Sequence, residues 1–331
     1  MDQTDFKKLM SDAKFYESYA RFLEEESRFE TWGEAVERVM TMHKEKYGYG
    51  KGGELDELIE RAEAAYKAKL VLGAQRALQF GGEQLLKHQV KMYNCVSSYC
   101  DRAKFFGEFM YMLLCGAGAG FSVQYHHVEK LPEVAKRTSG AKTYVVEDSI
   151  EGWANAVDVL MSSYFLHGAK HPEYSDYRIH FDLTNIRAKG EPISGGFLAP
   201  GPEPLQKALG QIENLLEKYI GDYFSRKLEP IICYDICMYI ADAVISGGVR
   251  RSATICLFSP EDEAMVKAKT GNWYVNNPQR ARSNNSAVIV RDEITREKFH
   301  EFMGYIKEFG EPAFVFLDSK EFTFNPLKLA A

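Results

Sequence analysis

"KMYNCVSSYCDRAKFFGEFMYMLLCGAGAGFSV", residues 91–123, is the stretch on which the fold turns. It joins a polar turn holding Cys95 to an apolar helical run near 101–115, then a glycine cluster, then a short strand. Gly116, Gly118 and Gly120 invite a dinucleotide-binding reading. That fingerprint needs G-x-G-x-x-G between a strand and the helix after it, so that the helix N-terminus faces the pyrophosphate. Here Phe121 breaks the third spacing and the helix comes before the glycines. A Rossmann loop is excluded. Glycines between a helix and a strand permit positive φ and close backbone approach, and shape a turn beside whatever the strand lines.

Outward from this stretch the texture differs on the two sides. Residues 1 to about 90 read as helices, because FKKLMSDAKFYESYARFL and WGEAVERVMTMHKEKY repeat apolar residues at three and four positions. GYGKGG at 48–53 punctuates them, ELDELIERAEAAYKAKL is a further helix, and Gly81-Gly82 marks a turn. After Cys95, FSVQY, YRIHFDL, ATICLF, SAVIV and AFVFL are candidate strands. Helices near 150–166, 203–220, 232–246 and 295–308 fall between several of them. Such alternation predicts an α/β fold with parallel strands and helical crossovers. Asp148, with Glu151 three residues on, reads as a capping box for EGWANAVDVLMSSYF, whose Trp153, Val157, Leu160 and Tyr164 form a core stripe. The expected organisation is a helical N-terminal segment over 1–90, one α/β unit over 91–326 and a short tail at 327–331.

The chain has 331 residues, 45% apolar and 13% aromatic, enough to bury one large core or two ordinary ones. A formal net charge of -6 with scattered Lys and Arg leaves no broad basic surface, so nucleic acid is not an expected partner. No apolar run approaches the roughly 20 residues needed to cross a bilayer, and the acidic start MDQTDFKKLM is unlike a secretory leader. A cytoplasmic, membrane-free protein is expected, with its six cysteines as thiols. Cys233 and Cys237 share a helix face. Buried packing is the expectation for them over a two-cysteine metal site, since free Cys behaves as a small hydrophobe.

Three further stretches carry chemistry. ISGGVRRSATICLF, 245–258, ends a helix at Gly247 and Gly248 and presents Arg250 and Arg251 before a strand. Guanidinium forks match phosphate oxygens, although a helix C-cap with two solvated cations reads equally well. DLTNIRAKGEPISGGFLAPGPEPL, 182–205, is a similar polar loop holding Asn185, Arg187 and Lys189; two such loops suggest a nucleotide phosphate. In RSNNSAVIV, Asn284, Asn285 and Ser286 enter a strand and could bind a polyol or a base edge, or merely turn the chain.

Taken in order, YNC (93–95), GAGAGFSV (116–123), DSIEGW (148–153), IRAKGEPISGGFLAPGPEPL (186–205), SGGVRRSA (246–253), SNNSAV (283–288), GEPAFVFLD (310–318) and NP (325–326) resemble the catalytic subunit of ribonucleotide reductase. The likeness is greatest to the monomeric, adenosylcobalamin-dependent class II branch. It implies the N-terminal part of a ten-stranded α/β barrel with a radical site inside. Cys95 would be one of two cysteines that reduce the substrate as the ribose 2′-hydroxyl leaves as water, a role a thiol pair can fill by closing a disulfide. Asn94, Gly118, Gly120, Asn284, Asn285 and Ser286 would line the ribonucleotide, and Asn325 would help hold the ribose. Residues 185–196 and 246–253 would be the loops that relay a deoxynucleotide or ATP effector to substrate choice, with Arg187, Arg250 and Arg251 the chief contacts.

The resemblance also departs from the family pattern. The family's finger loop reads Asn-Pro-Cys-x-Glu, its cysteine forming the thiyl radical and its glutamate acting as base. Here Leu327 and Leu329 stand at those places. A leucine can do neither. LKLAA reads as a junction or vector remnant, and the expectation is an N-terminal fragment, inactive alone, from an interrupted gene or a trimmed chain. It would need the missing C-terminal half, adenosylcobalamin, and thioredoxin or glutaredoxin as reductant. No ATP-cone is expected at the N-terminus. Rival readings are a noncatalytic nucleotide-binding fragment, a class I-like chain using a separate radical-generating subunit, and an unrelated α/β barrel.

Overall fold

The computed structural model describes residues 3–193, 197–245 and 254–324. The chain divides into two compact units, one over Met1–Asn94 with Ile193–Phe197, the other over Cys95–Pro192 with Leu198–Ala331. The first is mainly helical, with α1 (Gln3–Ser18), α2 (Trp32–Tyr47) and α3 (Glu54–Lys67) as its longest elements. Thr31 and Glu34 form a capping box that starts α2: the Thr31 N–H donates to Glu34 Oε2 at 2.7 Å, and the Thr31 side chain accepts from the Glu34 N–H. The apolar faces meet in a core of Phe15, Val36, Val39, Met40, Ile59 and Tyr66. The predicted helices and the break after Tyr47 are therefore present, except that the first helix stops at Ser18, ahead of the short strand Phe22–Leu23.

The second unit is built on a sheet. Its longer strands are β1 (Cys95–Tyr99), β2 (Gly118–Ser122), β3 (Ala141–Val145), β4 (Arg178–Asp182), β5 (Thr254–Phe258), β6 (Ser283–Val290) and β7 (Ala313–Leu317). Five of them form one sheet in the order β7-β6-β5-β2-β1, every pair parallel. Parallel neighbours need crossovers. Helices supply them: α4 (Phe105–Leu114), α5 (Ile150–Tyr164), α6 (Glu203–Ile220), α7 (Pro230–Ile245) and α8 (Arg296–Phe309). α4 packs on β2, α5 and α7 pack on α4, and α6 joins α5 and α7.

Several expectations change here. The segment at Cys95 is not a turn but the edge strand β1, paired Cys95 to Gly118 and Ser97 to Gly120. Likewise the glycine cluster is half strand, since β2 begins at Gly118, and the turn is confined to Gly116, whose φ is +78°. YRIHFDL lies outside the main sheet; β4 pairs with β3, which the sequence reading missed because its burial alternates only between exposed and half-buried. At the start of α5 the N-cap is Ser149, whose Oγ accepts the Gly152 N–H at 2.9 Å, and Asp148 instead accepts from Arg187. The stripe Trp153, Val157, Leu160 and Tyr164 is buried as expected.

Gly107 lets α4 and α5 approach closely. A Cβ there would stand 2.2 Å from the Asp158 carboxylate. That buried carboxylate accepts the Gly107 N–H at 3.2 Å and a bond from Lys170 Nζ at 2.7 Å. Burial pushes the Asp158 carboxyl up, with Lys170 opposing.

Candidate functional site

Alternate residues of a strand point to opposite sides, and the two sides of this sheet differ in chemistry. One is covered by helices: Ala119, Phe121, Cys256, Phe258 and Ala287 join a core with Phe105, Phe109, Cys233, Tyr234 and Cys237. Its opposite, the inner face, carries Cys95, Ser97 and Tyr99 of β1, Gly118, Gly120 and Ser122 of β2, Ile255 and Leu257 of β5, and Asn284, Ser286 and Val288 of β6. Ile255, Leu257, Val288 and Phe324 form a small apolar cluster there. The registers set Ser97, Gly120, Ile255 and Asn284 in one row and Tyr99, Ser122, Leu257 and Ser286 in the next. With strands about 4.8 Å apart, such a row is about 14 Å wide.

Five of the expected site residues thus share one face: Cys95, Gly118, Gly120, Asn284 and Ser286. Cys95 is half-buried, while the other five thiols are at most 1% exposed. Opposite Cys95 the sheet carries no side chain, because its partner is Gly118. Ser286 is fully buried, and its Oγ has no hydrogen-bond partner among the described residues. An unsatisfied buried hydroxyl calls for a ligand or water.

Asn285 does not join them. One residue along from Asn284, it turns to the helix-covered side, where Ser283 Oγ donates to its Oδ1 at 2.7 Å and also lies 3.1 Å from the Tyr234 hydroxyl. Asn94 belongs to the N-terminal unit and accepts from Arg76 Nε at 2.9 Å. Asn185 and Lys189 are exposed in the loop after β4. Arg187 Nε donates to Asp148 Oδ2 at 2.6 Å, so this guanidinium is tied to the start of α5. Gly247, Gly248, Arg250, Arg251, Asn325, Leu327 and Leu329 lie outside the described residues. Cys233 and Cys237 are fully buried packing residues of α7. Burial pushes the Cys100, Cys237 and Cys256 thiols well up, which keeps them protonated.

The sequence reading passed over a polar cluster at the C-terminal ends of β1 and β2. His127 Nδ1 lies 2.9 Å from Ser122 Oγ, and the Tyr99 ring tilts against the His127 ring at 4.6 Å. Gln124 Nε2 donates to Ser122 Oγ (3.1 Å) and to the Lys320 carbonyl (2.9 Å), and the Tyr99 hydroxyl donates to the Glu321 carbonyl (3.1 Å). Burial, with His126 adjoining, holds the His127 imidazole down to about 4. The available signal was QYHH, two adjacent histidines directly after a strand.

Comparison with known proteins bears on this arrangement. The family model described as "B12-dependent ribonucleotide reductase, insertion domain" matches residues 121–216, which include the 185–196 loop. The adenosylcobalamin-dependent ribonucleoside-triphosphate reductase of Lactobacillus helveticus is 26% identical over 91% of this chain and 47% of its own length. A probable enzyme of the same name from Dictyostelium discoideum is 35% identical over 53% of this chain and 21% of its own. A crystal structure of B-12 dependent (class II) ribonucleotide reductase superposes with a TM-score of 0.76 at 23% identity, covering 93% of this chain and 49% of that one. The chain spans about half the length of the relatives that match most of it. No helix among the described residues is long and apolar enough to cross a membrane.

Proposed function

We infer that this chain, a homologue of the class II adenosylcobalamin-dependent ribonucleotide reductases that spans about half of the full-length enzyme, supplies the N-terminal half of such a reductase's barrel. In this reading the inner face of the parallel sheet is the floor on which a ribonucleotide lies. The observation that carries it is the gathering of Cys95, Gly118, Gly120, Asn284 and Ser286 on that face, with the lone accessible thiol opposite a residue that has no side chain. Gly118 and Gly120 admit the ribose close to the backbone. The Ser286 hydroxyl and the Asn284 amide offer donors and acceptors to hydroxyl or phosphate oxygens. Asn325, which lies outside the described residues, would complete the ribose contacts, and the triphosphate is the substrate form that the relatives' names favour.

Cys95 is the reductant. Its thiol and a second thiol from the rest of the enzyme together give two electrons and two protons. The substrate's C2′–OH becomes C2′–H, water leaves, and the two sulfurs join as a disulfide. Thioredoxin or glutaredoxin would reopen that disulfide. Residues 185–196 and 246–253 would relay the effector, with the Arg187–Asp148 pair fixing the first loop to α5.

The B12-dependent homologues imply adenosylcobalamin in the complete enzyme. A cofactor that starts radicals needs a thiol within reach besides the reductant. Among the described residues the five remaining cysteines are sealed in the core, so these residues do not fit that group by themselves. Leu327, where a radical cysteine would stand, points the same way.

The test mixes the chain with a C-terminal fragment that begins at a finger-loop cysteine and supplies adenosylcobalamin, a dithiol and ribonucleoside triphosphate. Deoxyribonucleotide formation that disappears in Cys95→Ser supports the reading. Nucleotide binding with no turnover under any radical source sinks it in favour of a noncatalytic fragment. Turnover that needs a separate radical-generating subunit in place of cobalamin would assign the chain to a class I-like enzyme.

A further inference from the structure

At the C-terminal edge of the sheet, beyond β1 and β2, stands a cluster that the reductase reading leaves unused. His126 and His127 sit in the single helical turn Tyr125–Val128, their ring centroids 3.9 Å apart. Each offers a ring nitrogen, Glu321 offers a carboxylate oxygen, and these three atoms all lie within 4.8 Å of one another. We propose that His126, His127 and Glu321 bind one divalent transition-metal ion of the Zn²⁺ type.

Four observations converge on this. The donor set is two imidazoles and one carboxylate, a borderline N/N/O set that suits Zn²⁺ or Co²⁺ and not the all-oxygen shells of Mg²⁺ or Ca²⁺. The spacing is that of two ligands on one ion. His126 Nε2 and Glu321 Oε1 are 3.6 Å apart, whereas a direct N–H···O bond closes to about 2.9 Å. Two ligands at about 2.1 Å from a tetrahedral centre stand about 3.4 Å apart.

His126 Nε2 is moreover a buried atom with no hydrogen-bond partner among the described residues, a vacancy of the kind that needs an explanation. Finally the supporting shell is in place. Ser122 Oγ, 2.9 Å from His127 Nδ1, fixes the orientation of that ring. Outer hydrogen bonds of this sort fix the tautomer of metal-bound histidines. Gln124 steadies Ser122 and the Lys320 carbonyl, and Tyr99 holds the Glu321 carbonyl, so the carboxylate arrives on a tethered backbone. A bound ion would clamp residues 320–321 to the ends of β1 and β2, and a fourth position would remain open to water.

The experiment uses the 331-residue protein freed of metal by chelation and titrated with Co²⁺, then with Zn²⁺. One equivalent of Co²⁺ should bind with visible d–d bands, without the sulfur-to-cobalt charge-transfer band that any of the thiols would give, and Zn²⁺ should displace it. Glu321→Gln keeps the shape of an exposed side chain and should weaken binding by at least about 10-fold, the lower end of what losing even an outer-shell partner costs. His126→Asn should do the same, with near-ultraviolet circular dichroism verifying that both variants stay folded. Cys95→Ser should bind as the parent does. No Co²⁺ bound at millimolar metal, a thiolate charge-transfer band, or undiminished affinity in Glu321→Gln would each overturn the proposal and leave an ordinary His126–Glu321 ion pair. No nucleotide or cofactor is present, so either result leaves the reductase reading standing.

Discussion

The two faces of the five-stranded sheet are made from alternate residues of the same strands, yet they obey different rules. On the helix-covered face Phe121 meets Phe109 at 5.0 Å edge to face, and Cys256 and Phe258 are fully buried. Among the polar groups there, Ser283 Oγ donates to Asn285 Oδ1, while Asn285 Nδ2 has no hydrogen-bond partner among the described residues. The inner face mixes the buried apolar residues Ile255, Leu257 and Val288 with small and polar ones: Ser97 and Asn284 are exposed, Cys95 is half-buried, and Ser286 keeps a free hydroxyl among the described residues. One side is packed against helices, and the other leaves Cys95, Ser97 and Asn284 within reach of solvent. The lesson extends to cysteine: chemistry follows the face, so one thiol of six is available and the others serve as packing.

The sharpest way to break this contrast is at sulfur. Cys95→Ser should lower turnover of the reconstituted enzyme by about 10³-fold or more, without a change in stability. Cys237→Ser should lose stability and keep turnover per folded molecule. Native-state alkylation followed by mass spectrometry should label Cys95 alone, and labelling of Cys233 or Cys256 at the same rate would erase the distinction. Next in size is the core. Phe121→Ala should destabilise by about 3–5 kcal/mol, measured by chemical denaturation, whereas Ser97→Ala on the inner face should stay within about 0.5 kcal/mol. Gly107→Ala tests the helical layer behind the sheet. Its methyl collides with Asp158, and overpacking of this kind costs about 1–3 kcal/mol. The smallest effect separates two neighbours: Asn285→Ala should cost about 1 kcal/mol by removing the Ser283–Asn285 hydrogen bond, with the Tyr234 hydroxyl left as a partner for Ser283, while Asn284→Ala should barely shift the midpoint and should weaken nucleotide binding. Equal effects at 284 and 285 would mean that the register is other than described.

Much of this was legible beforehand, for reasons that can be named. Helices such as α2 and α5 announce themselves through apolar spacing, and strands such as β5 and β7 through continuous apolar runs. The thiol at 95, the glycines at 118 and 120 and the SNNS entrance stand out in the sequence because their order along the chain is itself distinctive. What escaped was whatever depends on pairing. CVSSY has too few apolar residues to read as a strand, and only its ladder with β2 makes it one. Asn284 and Asn285 are chemically alike, and a single step along a pleated strand sends them to opposite faces. Asp148 is as good a cap by composition as Ser149, until Arg187 arrives from 39 residues away to claim it.

By itself, then, the sequence determined the class of fold, the run of helices and strands, and which side chains are chemically equipped to act, since those follow from local periodicity and residue type. Only the tertiary structure decided which face each residue takes, which thiol stays reachable and that two histidines meet a glutamate 194 residues further on. Those outcomes rest on strand register and on contacts between distant segments, whose energies no local window of sequence contains.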